Sequence, residues 1–196
     1  HLSIRRQRQM CIRDRRNDPS LYVRKSVANH LNDITKEHPQ WVLERLEGWP
    51  LEQPHSAWIA RHALRSLIKQ GDRRALALIG AGARAEVQVC RFQVAPGQLR
   101  LGDSLNLSLT LVSTCSHEQR LVVDYAIDYV KASGATASKV FKLKTFTLQG
   151  LAQVELGRSQ QIRELTTRRH YPGRHGVRLL VNGDPLATGH FDLLVP

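Results

Sequence analysis

Asp18-Pro-Ser-Leu-Tyr-Val-Arg-Lys-Ser-Val-Ala-Asn-His-Leu-Asn-Asp33 is the stretch from which the rest of the chain is read. Asp-Pro-Ser is a helix start, with Pro19 or Ser20 in the first turn, and no proline follows until Pro39. The spacing predicts a helix running to about His38. At roughly 100° per residue, Val23, Val27, Leu31 and Ile34 form one stripe, and Lys25, Asn29, Asn32 and Asp33 fall opposite it. One face is therefore core, and the other is a cationic surface that ends on a carboxylate.

On the N-terminal side, residues 1–16 hold six arginines and one aspartate and no initiating methionine. The run Arg5 to Arg15 resembles translated adapter sequence, so residues 1–16 read as a disordered sequencing or cloning scar rather than a basic nucleic-acid arm, and they are left out of the fold. Without them the net charge falls from +12 to +7. A basic balance of this kind points to a polyanionic partner, most often nucleic acid.

On the C-terminal side, residues 17–83 read as short antiparallel helices. Pro39 opens a second helix with Val42, Leu43 and Leu46, flanked by Trp41 and Trp49. Ser56 is the expected N-cap of a third, carrying Trp58, Ile59, Ala63, Leu64, Leu67 and Ile68 and stopping at Gln70-Gly71. Asp72 caps a fourth. Four helices in two pairs resemble the last units of a stacked helical-repeat array, and two pairs are few for a stable solenoid, so further repeats are expected upstream.

At Ala81-Gly82-Ala83 the period changes to two. Leu105, Leu107, Leu109 and Leu111 alternate with Asn106, Ser108 and Thr110, and Val123, Tyr125, Ile127 and Tyr129 alternate with Asp124, Ala126 and Asp128. Further strands are expected at 86–93, 140–148, 152–156, 160–167, 176–181 and 189–194, with turns at Gly97, Gly102, Gly134, Gly150, Pro172-Gly173 and Asn182-Gly183. The fold class is thus α and β in series: HEAT-like helical repeats at 17–83, then an all-β immunoglobulin-like sandwich at 86–196. Cys11, Cys90 and Cys115 show no Cys-x-x-Cys spacing and no even framework, so a reducing cytoplasm is the expected compartment. No apolar run approaches the length of a membrane span, and no secretory signal opens the chain.

The run 18–34, followed by Lys36-Glu37-His38-Pro39, resembles the signature of the bacterial AlkC family of alkylpurine DNA glycosylases. A weaker match lies at Thr167-Arg-Arg-His-Tyr-Pro-Gly-Arg-His-Gly-Val177. That family joins HEAT-like repeats to a C-terminal immunoglobulin-like domain, so the resemblance implies that residues 18–196 are its C-terminal part. It further implies DNA repair by excision of cationic alkylated bases such as 3-methyladenine from double-stranded DNA, without a cofactor and by a monomer. Because the family's upstream repeats carry further acidic and aromatic site residues, this chain is expected to be inactive alone.

The resemblance makes Asp33 the expected catalytic carboxylate, with Arg24, Lys25, Asn29 and His30 as neighbouring DNA-binding residues. The family is understood not to insert the base into a snug pocket. Arg168, Arg169 and Arg174 around the Tyr171-Pro172-Gly173 turn, with His170 and His175, are the expected DNA contacts of the sandwich. No metal is expected, since His170 and His175 have no cysteine or clustered carboxylate at ligand spacing. Trp41, Trp49 and Trp58 are expected to pack between helices. Lys139, Lys142 and Lys144 are expected to blunt a sheet edge or face water. The alternative function is a non-catalytic DNA-binding or scaffolding module, in which repeats and sandwich grip duplex without chemistry.

Overall fold

A computed structural model describes residue 15 and residues 17–164 and 169–195. The expectation for residues 1–16 thus lies, apart from Arg15, outside the described residues. The chain divides into two compact units, one ending at Ala83 and the other beginning at Arg84.

Five helices make up the described part of the first unit: α1 (Leu21–Ile34), α2 (Pro39–Glu47), α3 (Pro54–Ala63), α4 (Arg65–Gln70) and α5 (Arg73–Leu78). α1 starts at Leu21, just past the expected Pro19 or Ser20. Asp18 Oδ1 accepts from Ser20 N at 2.7 Å, which sets the chain ahead of the first turn. Its end comes earlier than His38. The Thr35 hydroxyl donates to Asn32 O at 2.7 Å, and Lys36 N reaches Asp33 O, so the last turn tightens and closes.

Prolines open α2 and α3 at their first positions. The expected N-cap at Ser56 is corrected: α3 already begins at Pro54, and Ser56 lies fully buried inside its first turn. The expected single helix from Ser56 to Gln70 is also corrected, since it breaks at Leu64 (φ −87°, ψ 5°) into α3 and α4. Gly71 ends α4 at φ 77°, a conformation that disfavours side chains with a Cβ, and Asp72 then accepts from Ala75 N at 2.8 Å to cap α5.

One core holds the helices. Val27, Ala28 and Leu31 of α1 meet Val42, Leu43 and Leu46 of α2 and Ile59, Ala60 and Ala63 of α3. Each fully buried leucine contributes about 1.5–3 kcal/mol of transfer free energy. Trp49 is buried, and Trp41 and Trp58 pack against the same core.

The second unit is a sandwich of β1 (Val87–Ala95), β2 (Gln98–Arg100), β3 (Ser104–Ser113), β4 (Gln119–Val130), β5 (Thr136–Leu148), β6 (Gln153–Gln161), β7 (Gly173–Val181) and β8 (Asp184–Leu194). One sheet runs β1-β3-β6 and the other β2-β8-β7-β4-β5. All pairings are antiparallel except β2 with β8. Leu105, Leu107, Leu109 and Leu111 of β3 point inward, as their alternation requires, against Tyr125, Ile127, Val177, Leu179 and Phe191 of the facing sheet.

Three expectations change here. The strands expected at 152–156 and 160–167 are one strand, β6, which ends at Gln161; 162–164 are not strand, and 165–167 lie outside the described residues. The short β2 was not expected; three residues are too few to show a period. Finally, β4, a central strand between β5 and β7, is not half-exposed: every residue from Leu121 to Ile127 is buried, Asp124 included. On the outer side of that sheet Arg178 binds Asp128 through two nitrogens, at 3.0 and 3.2 Å, and Ser138 at 3.0 Å, which ties three neighbouring strands together. β5 is an edge strand, and its Lys139 and Lys144 lie over the rings of Phe141 and Phe146 at 5.2 and 5.5 Å.

Candidate functional site

Asp33 sits on the last turn of α1 because three apolar neighbours, Val27, Leu31 and Ile34, face the core and turn it outward. Its carboxylate is solvent-exposed and accepts from Lys36 Nζ at 2.8 Å. The hydrogen bond and charge of Lys36 hold its pKa below the ordinary carboxylate value, with Arg65 and His30 adding to the effect. The group is therefore ionised well below neutral pH. Lys25, Asn29 and His30 are exposed on the same helix. A fixed anion surrounded by cations is a surface on which phosphates and a developing positive charge both find partners.

Two neighbours are placed differently from the expectation. Asn32 was expected on the polar face and is instead buried, with Oδ1 accepting from Ser66 Oγ at 3.0 Å across the core. That side of α1 is covered by α4, whose Ser66 reaches the amide. Arg24 is half-buried: its NH1 donates to the carbonyls of Asp18 and Pro19, both at 2.8 Å, and its guanidinium lies 5.8 Å from the Trp58 ring centroid. It holds the start of α1. Trp58 in turn stacks on His62 at 4.7 Å.

In the sandwich, the residues around the Tyr171-Pro172-Gly173 turn divide. Arg169 and Arg174 are exposed, the latter 3.3 Å from Asp192 Oδ1. Arg168 lies outside the described residues. The two histidines turn inward. His175 is fully buried and stacks on Phe191 at 5.1 Å. Its Nδ1 accepts from Val130 N at 3.3 Å, so the ring proton is on Nε2 and donates to Tyr171 O at 3.1 Å. Burial pushes its pKa down, and the neutral ring is the folded form. His170 is buried beside Tyr129 with Nε2 3.1 Å from Arg163 O. Both rings fasten the segment that leads into β7.

Sequence reading missed the cations that set the charge of Asp33. Lys36 follows it at a helical i+3 spacing and was visible as a pair; Arg65 comes near only through the packing of α4. It also missed Glu86, Cys115 and His117, whose ligand atoms lie within 4.8 Å of one another. Among the described residues, no helix is long and apolar enough to cross a membrane.

The alkylpurine DNA glycosylase AlkC of Pseudomonas fluorescens, solved bound to DNA containing an abasic site analogue, is 61% identical, with a TM-score of 0.90 over 93% of this chain and 51% of that one. YhaZ of Bacillus subtilis strain 168, described as uncharacterised, is 40% identical over 167 residues, which are 85% of this chain and 46% of that protein. This chain thus spans about half the length of the relatives it matches. Residues 88–195 match the family described as "Uncharacterised protein YhaZ, C-terminal Ig-like domain", so the chain belongs to the YhaZ family through its immunoglobulin-like domain.

Proposed function

We infer that this chain is the C-terminal part of a DNA repair glycosylase that hydrolyses the N-glycosidic bond of cationic alkylated bases, such as 3-methyladenine, in double-stranded DNA. The observation that carries the reading is the likeness to AlkC across nearly the whole chain, helices and sandwich together. The helices are then the end of a HEAT-like array, and the protein acts as a monomer in base excision repair, in the bacterial cytoplasm.

The chemistry suits an exposed carboxylate. An N3-alkylated purine carries positive charge, so the departing base needs little protonation, and the barrier lies in the oxocarbenium-like cation that develops at C1′. Asp33 stabilises that cation and orients the attacking water. Its depressed pKa fits the role, since only the anion serves. Lys25, Asn29 and His30 contact the phosphates that flank the lesion, and Arg24 keeps the start of α1 in register beneath them. Arg168, Arg169 and Arg174 hold the backbone from the sandwich. The basic balance of the chain also favours a second reading, a non-catalytic DNA-binding module.

The test is base release from methylated duplex by the chain alone and by the chain joined to the N-terminal half of the Pseudomonas fluorescens relative. The chimera releases 3-methyladenine and the chain alone does not. In the chimera, Asp33→Asn lowers release by on the order of 100-fold or more, and affinity for abasic-site DNA is kept. Equal release by Asp33→Asn would remove Asp33 from the chemistry. Salt-sensitive binding without release by the chimera would leave the binding module.

A further inference from the structure

The sandwich carries a second cluster of reactive side chains, distant in sequence from Asp33 and unrelated to its chemistry. Glu86 stands just ahead of β1, and Cys115 and His117 lie in the turn between β3 and β4. Their carboxylate, thiol and imidazole ligand atoms all fall within 4.8 Å of one another, with His117 Nε2 3.7 Å from Glu86 Oε1. We propose that Glu86, Cys115 and His117 form a tetrahedral site for a divalent cation of the zinc class, with water as the fourth ligand.

The donor set fits such an ion. One sulfur, one imidazole nitrogen and one carboxylate oxygen are the ligand types that zinc takes, and three protein ligands with one open position is a common arrangement. Bond lengths of about 2.0–2.3 Å put tetrahedral ligand atoms roughly 3.5 Å apart. Closing from 4.8 Å asks for about 1 Å of movement, and Glu86 and His117 are exposed enough to supply it. The sulfur is nearly buried and stays where it is.

The backbones that carry the ligands are pinned. Thr114 N donates to Glu86 O at 2.9 Å, and Glu86 N donates to Gln119 Oε1 at 3.0 Å. Gln119 Nε2 donates to Glu86 O and Ser113 Oγ, both at 2.9 Å, and lies 3.2 Å from Cys115 Sγ, close enough to steady a metal-bound thiolate. On the other side Leu151 N donates to Cys115 O at 2.9 Å. Gly150 presses so closely on the turn that a Cβ there would come 2.2 Å from Ser116 O. A chance surface ion pair between Glu86 and His117 would explain two of the three side chains, but not a thiol held against them.

Binding balances simply. The thiol proton, now directed at His117 O at 3.2 Å, leaves to water, and the thiolate, the neutral imidazole and the carboxylate neutralise the dication. The ion would then fasten the start of β1 to the β3–β4 turn.

The test is titration of the full chain with Co²⁺ as a spectroscopic stand-in, followed by Zn²⁺. One equivalent of Co²⁺ gives a thiolate-to-metal charge-transfer band and the intense visible bands of tetrahedral cobalt, one proton is released per ion, and Zn²⁺ displaces the colour. Cys11→Ser and Cys90→Ser keep the bands, and Cys115→Ser loses the charge-transfer band. His117→Ala and Glu86→Gln each weaken binding by at least about tenfold. Each variant is checked for folding by circular dichroism. A folded wild-type chain without the charge-transfer band, a band that survives Cys115→Ser, or unchanged affinity in both His117→Ala and Glu86→Gln would each overturn the site.

Discussion

The polar face of α1 and the His170–His175 segment look alike in the sequence, each a short run with basic side chains beside a turn signal. In the structure they are opposites. Asp33, Lys25, Asn29 and His30 stand in solvent, where a ligand can reach them. His170 and His175 are buried against Tyr129 and Phe191, and their ring nitrogens face backbone groups. Residue type marks a candidate; only what the side chain touches separates a group that acts on a partner from one that holds the fold.

The comparison breaks first, and by most, at Asp33. In the chimera with the N-terminal half of the Pseudomonas fluorescens relative, Asp33→Asn is expected to cost on the order of 100-fold or more in base release. The midpoint of urea unfolding should not move, because the carboxylate is exposed and bonded only to Lys36 among the hydrogen bonds described. A drop in stability as large as the drop in release would put Asp33 on the structural side of the divide.

His175→Ala should give the reverse pattern. It strips the partner from Val130 N and Tyr171 O and empties the place against Phe191, an expected loss of about 1–3 kcal/mol for the buried polar groups left behind. Affinity for duplex DNA at a temperature where both forms are folded should be unchanged. Weaker binding without loss of stability would return His175 to the DNA-contact role.

The same histidine sharpens the comparison through pH. Burial lowers its folded pKa below the unfolded value of about 6.5. The unfolded chain then binds the proton more readily, so this contribution to stability is whole above about pH 6.5 and drains away as pH falls toward the folded value. The melting temperature should fall between pH 7.5 and 5.5, and His175→Phe should flatten that part of the slope. An unchanged slope in the variant would assign the pH dependence to other groups.

Much of the fold was legible because its two periods are strong. Val27, Leu31 and the alternating leucines of β3 went to the core faces their spacing assigned. What failed did so where packing overrides a local signal. The break at Leu64 has no proline or glycine to announce it, and Asn32 became a core amide because Ser66 of α4 reaches it. Asp124 alternated like a solvent-facing residue on a strand that turned out to be central. Site residues were harder still: Asp33 was reached through a family resemblance, and the cluster of Glu86, Cys115 and His117 joins positions about thirty residues apart that nothing local connects.

The finest discrimination concerns Lys36, which makes the one hydrogen bond described for the Asp33 carboxylate and is exposed. If its only part is to lower the pKa of Asp33, Lys36→Met leaves release near neutral pH alone, since the carboxylate is ionised with or without it. The acid limb of the pH–rate profile then moves to higher pH, because the acid form of Asp33 persists further up the scale. If Lys36 instead swings to a phosphate when DNA arrives, the variant binds duplex more weakly and the slope of log affinity against log salt flattens by about 0.9. A shifted acid limb with an unchanged salt slope makes Lys36 a partner of the carboxylate; a flattened slope makes it part of the DNA surface that surrounds it.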